Sequence, residues 1–87
     1  MGLSYEEVLV DVVHYKYLCD EGFVSMPSPQ PNLPCQADGY FRHLAQCIVE
    51  DTGMTRNMAE CGLIHAALQH GRLDLRFFEA VVSRLYA

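Results

Sequence analysis

Residues 4–22, SYEEVLVDVVHYKYLCDEG, contain the signals of a helix together with residues that compete against it. Ser4 and Glu7 have the spacing of a capping box, in which each side chain accepts a hydrogen bond from the backbone N–H of the other residue. Gly22 stands where a left-handed residue commonly ends a helix. The β-branched valines favour a strand instead, but the two end signals and the length predict a helix over residues 4–21.

This predicted helix has two apolar sides rather than one. At about 100° per residue, one side carries five residues spaced by three and four: Tyr5, Val8, Val12, Tyr15 and Cys19. A second group, Val10, Val13 and Tyr17, projects to roughly the opposite side. Because a small domain buries only one side of such a helix, the second group predicts an exposed apolar surface of the kind that marks interaction sites.

The rest of the chain reads as a connector followed by helices. All four prolines lie in residues 22–37, and proline fixes φ and removes a backbone donor. Apolar spacing of three and four then predicts helices over three ranges: 38–51, 55–70 and 74–86. Asp38, Thr55 and Asp74 are the N-cap candidates. The prediction is one all-α domain, residues 1–87, built as a bundle of about four short helices.

The third predicted helix contains a glycine in its interior. Gly62 costs about 1 kcal/mol there relative to alanine, which predicts close approach by a neighbouring backbone. On the same helix, spacing predicts a shared inward side for five residues: Met58, Cys61, Ile64, His65 and Leu68.

Charge and composition exclude several classes of protein. The 87 residues include eleven acidic and six basic side chains, for a net charge of −5. Six acids and one base fall in the first 38 residues, so the excess negative charge lies there. An acidic chain is a poor ligand for nucleic acid or an anionic membrane.

No apolar run approaches the ~18 residues of a spanning helix. Without a basic-then-apolar signal layout, we expect a cytoplasmic protein with reduced cysteines.

Two histidine–cysteine pairs raise the alternative of a small zinc-stabilised helical domain. His43 and Cys47 are four residues apart on one predicted helix, and Cys61 and His65 are four apart on the next. Such pairs can each supply two ligands to a tetrahedral ion. However, His43 points away from the apolar stripe of its helix, whereas Cys61 and His65 face inward. We therefore predict no metal and no cofactor.

A second alternative is a helix-turn-helix DNA-binding regulator. The segment GMTRN, residues 53–57, lies between two predicted helices and resembles the start of a recognition helix, with Arg56 able to reach phosphates or base edges. The spacing from Ala45 to Gly53 is longer than in compact motifs of this kind. The balanced charge of residues 39–87 provides no net positive surface. We therefore expect no nucleic-acid partner.

No catalytic motif accompanies these features. The sequence has no nucleophile elbow, phosphate-binding loop or recognisable catalytic cysteine signature, so we predict that the chain is not an enzyme. We predict instead a small acidic protein-interaction module that inhibits or regulates a larger protein partner by occluding it. A homodimer is also expected. The partner-binding candidates are Glu6, Val10, Asp11, Val13, Tyr17, Phe77 and Tyr86.

The size and charge of the chain suggest a type of inhibitor. Short, acidic chains without catalytic motifs are typical of phage- or plasmid-encoded inhibitors of host machinery, anti-CRISPR proteins among them. This expectation rests on type alone, because no motif in the sequence carries it.

Overall fold

The structure, a computed structural model, describes residues 4–25, 34–71 and 75–86, the side chain of residue 75 excepted. Its elements are, in chain order, α1 (Tyr5–Asp20), a short 3₁₀ helix (Pro34–Ala37), α2 (Gly39–Thr52), α3 (Arg56–Gln69) and α4 (Leu75–Leu85). The prediction of an all-α domain with four helices is confirmed. No helix in the described ranges combines the length and the apolar character that crossing a bilayer requires.

The helix ends follow the predicted local signals. Ser4 and Glu7 form the capping box at the start of α1. The Asp38 carboxylate accepts hydrogen bonds from the backbone N–H groups of Tyr40 and Phe41 in the first turn of α2, and the Thr55 hydroxyl accepts one from Met58 in the first turn of α3. Gly53 ends α2 with a φ of 76°, a left-handed conformation that glycine adopts without a steric penalty. The predicted N-cap Asp74 lies outside the described residues.

The third helix is the centre of the domain. α3 packs against both α1 and α2, so it is buried over most of its circumference, through Met58, Ala59, Cys61, Gly62, Leu63, Ala66 and Ala67. The predicted inward side was therefore wrong at one position: Ile64 packs half-buried against the core and His65 stacks on Tyr15, but Leu68 is 57% exposed. Most of the buried positions hold small residues, which let two neighbouring helices pack closely against α3.

Close packing at Gly62 confirms the prediction made from the sequence. A Cβ added to Gly62 would lie 2.5 Å from Cγ1 of Val12 and 3.3 Å from its Cα. Val12 is fully buried. α1 therefore lies directly on the backbone of α3 at this point, which orients the opposite side of α1 toward solvent.

The fourth helix completes the core on the side of α2. Phe78 is fully buried and meets the edge of Phe41 at a ring-centroid distance of 5.1 Å. Phe77, which the sequence placed in an exposed apolar patch, is only 5% exposed. Its ring lies edge-on to Phe78 and stacks with His70, the residue that follows α3. The prediction for Phe77 was wrong because α4 buries both phenylalanines, and His70 also stacks on the Phe77 ring.

Candidate interaction surfaces

The outer face of α1, defined here as Val10, Val13 and Tyr17, is apolar and open to solvent. These side chains are 66%, 45% and 55% exposed. Together with Leu9 and His14 they line an open depression of about 440 Å³. On the opposite side of the same helix four residues are buried: Tyr5, Val8, Val12 and Tyr15. The predicted second apolar side of this helix is therefore present and uncovered.

Acidic residues lie at both ends of the outer face. Glu6 lies one helical turn before Val10, and Asp20 and Glu21 lie one turn after Tyr17; all three acids are exposed. Residues three or four apart on a helix share a side, so these carboxylates bracket the apolar residues. The side chain of Lys16 contacts Asp20 at 2.6 Å. The surface thus combines an apolar centre with acidic ends.

Asp11, another predicted partner-binding residue, makes a contact within the domain. Its Oδ2 lies 3.3 Å from Nε2 of His70, and both side chains are partly exposed. This contact joins α1 to the residue that follows α3. Asp11 therefore faces the end of α3 and is not part of the outer face, so its prediction as a partner-binding residue of that face is not supported.

A second surface lies between α2 and α4. The sequence did not predict that residues of these two helices would form one surface. It is a groove of about 290 Å³ lined by five residues: Gly39, Tyr40, His43, Val82 and Tyr86. Tyr86 is 71% exposed, and its Oη lies 2.7 Å from Nε2 of His43. Tyr86, predicted to lie in an exposed apolar patch, is thus exposed as expected. It forms a surface with residues of α2 and not with Phe77.

The four candidate metal ligands lie in two different places. His43 contacts Tyr86 of α4, and its Nε2 lies 3.7 Å from Sγ of Cys47 on the same helix. His65 stacks on Tyr15 of α1 with ring centroids 4.4 Å apart. Cys61 is buried. Within the ranges that the structure describes, no three His, Cys, Asp or Glu residues are grouped so that they could hold a metal ion.

Burial raises the pKa of three cysteine thiols: Cys35, Cys47 and Cys61. None of the four cysteines forms a disulfide. Burial raises the pKa of Cys47 above its ordinary value, and the nearby carboxylates of Asp51 and Glu50 raise it further. A nucleophilic cysteine needs a lowered pKa so that the thiolate is populated. The Cys47–His43 pair therefore has the residue types of a catalytic pair, but the pKa of the Cys47 thiol is raised, whereas a nucleophilic cysteine needs a lowered one.

Arg56, the residue on which the DNA-binding alternative depends, joins two helices. Its guanidinium contacts Oε2 of Glu60 at 3.0 Å, donates to Oε1 of Gln46 at 3.0 Å and donates to the backbone oxygen of Arg42 at 3.4 Å. Gln46 and Arg42 belong to α2. Within the described residues, Arg56 is thus engaged in holding α3 against α2.

Comparison with known proteins adds no relative: no family model, no curated protein and no solved structure matches the chain.

Proposed function

We propose that this chain is a small, non-catalytic protein-interaction module that binds a larger protein partner through the outer face of α1. By covering the surface of the partner to which it binds, the chain inhibits or regulates that partner. One observation carries the proposal. Val10, Val13 and Tyr17 are all exposed, although the opposite side of the same helix is buried.

The spacing of these side chains fits a known mode of recognition. Val10, Val13 and Tyr17 occupy positions i, i+3 and i+7, the pattern by which an amphipathic helix places its apolar side in a groove of another protein. The helix is already held in the domain by the contact between Val12 and Gly62. Its backbone therefore needs little further ordering on binding, which favours affinity.

The charges around the outer face indicate the chemistry of the partner. Glu6 and Glu21 would lie at the edge of the contact, where complementary charge promotes association and excludes wrong partners, whereas Asp20 is already paired with Lys16. The matching surface is an apolar groove with Lys or Arg at its rim. A second copy of this chain is a weaker match, because pairing two outer faces brings carboxylates together in a protein of net charge −5.

Affinity capture with matched variants tests this proposal. Tagged wild-type protein and the triple variant Val10→Ser, Val13→Ser, Tyr17→Ser are expressed in cells of the source organism. A control variant, Leu68→Ser, removes an exposed apolar side chain from α3 instead. We expect one large protein to be recovered with wild type and control and to be lost with the triple variant. Equal recovery by all three proteins would refute the proposal, provided that circular dichroism shows all three to be folded.

A further inference from the structure

We draw no further inference here: the strongest candidate, the apolar groove between α2 and α4 that Tyr40, His43 and Tyr86 line, carries none, because nothing in the part of the chain that the structure describes shows what covers it.

Discussion

Gly62 of α3 lies so close to Val12 of α1 that a Cβ on Gly62 would stand 2.5 Å from Cγ1 of Val12. This contact decides which side of α1 faces the domain. With Val12 pressed against the backbone of α3, Val10 and Val13 on the other side remain exposed. A packing feature in the core thus creates the surface to which we assign the function.

Replacing Gly62 by alanine should destabilise the protein although alanine is the better helix former. The added methyl overlaps a buried, β-branched side chain and lies near its backbone, and such overpacking typically costs about 1–3 kcal/mol. At 2.5 Å the overlap is severe enough that this cost exceeds the gain of about 1 kcal/mol in helix propensity. The free energy of unfolding, measured in urea, should therefore fall for Gly62→Ala.

A double mutant cycle isolates the cause of that loss. Val12→Ala removes Cγ1, the atom at 2.5 Å, but keeps Cβ at 3.2 Å and Cα at 3.3 Å, so Gly62→Ala should cost clearly less in that background. Gly39→Ala, where a Cβ meets no atom within 4 Å, is the control and should not destabilise. Equal costs of Gly62→Ala with and without Val12 would contradict the assigned contact.

Stability should decline in alkaline solution. Burial is the main cause that raises the pKa of Tyr5, Tyr15, Cys35, Cys47 and Cys61 above the ordinary values near 10 and 9. Above about pH 9 the unfolded chain releases these protons while the folded chain retains them. The unfolded state then binds fewer protons, so the free energy of unfolding falls as pH rises, by up to about 1.4 kcal/mol per pH unit for each group.

Urea titrations between about pH 7 and 10.5, with a reductant present, measure this dependence. Stability should be constant at the lower end and should fall from about pH 9 upward. Cys61→Ala should make the decline shallower by removing one of the shifted groups. A stability that stays constant or increases up to about pH 10.5 would show that these groups are not buried as described.

Substitution of Phe77 should lower the stability of the protein much more than substitution of Tyr86, although both residues lie among the last twelve. Phe77→Ala empties a buried position and should cost about 3–5 kcal/mol, whereas Tyr86→Ala removes an exposed ring and one hydrogen bond and should cost about 1 kcal/mol or less. Thermal unfolding followed by circular dichroism compares them. Because Phe77→Ala can leave too little stability to measure, Phe77→Leu provides a milder test. A larger loss for Tyr86→Ala than for Phe77→Leu would reverse our assignment of these residues.

Arg56 should contribute to stability. Arg56→Ala removes the contacts with Glu60, Gln46 and the backbone of Arg42. Because the guanidinium is partly exposed, we expect a loss of about 0.5–1.5 kcal/mol that decreases at high salt. Arg84→Ala on the exposed side of α4 is the matched control. An unchanged urea midpoint, together with salt-dependent DNA binding that Arg56→Ala abolishes, would favour the helix-turn-helix alternative instead.

Local signals in the sequence were sufficient to predict the four helices. Capping residues such as Ser4, Asp38 and Thr55 act on the nearest backbone N–H groups, so their effect is visible without knowledge of the tertiary structure. The two-sided pattern of α1 was equally local. It predicted that Val10, Val13 and Tyr17 would be exposed, and they are.

Features that depend on which helices are neighbours were not predictable. Leu68 fits an inward stripe by spacing, but α3 packs between two helices and buries its small residues instead. Phe77 and Phe78 are adjacent and equally apolar, and only the packing of α4 buries both. The groove at His43 and Tyr86 joins residues 43 positions apart, and no local pattern connects them.

Site-specific photo-crosslinking in cells of the source organism tests the central claim most directly. A benzophenone amino acid replaces Val13 in the outer face of α1, and in a control protein it replaces the exposed Leu68 of α3. Our account predicts a crosslink from position 13, absent from position 68, to a larger protein, at an apolar groove flanked by Lys or Arg. A crosslink from position 13 only to a second copy of this chain, or none beyond that of the control, would contradict it.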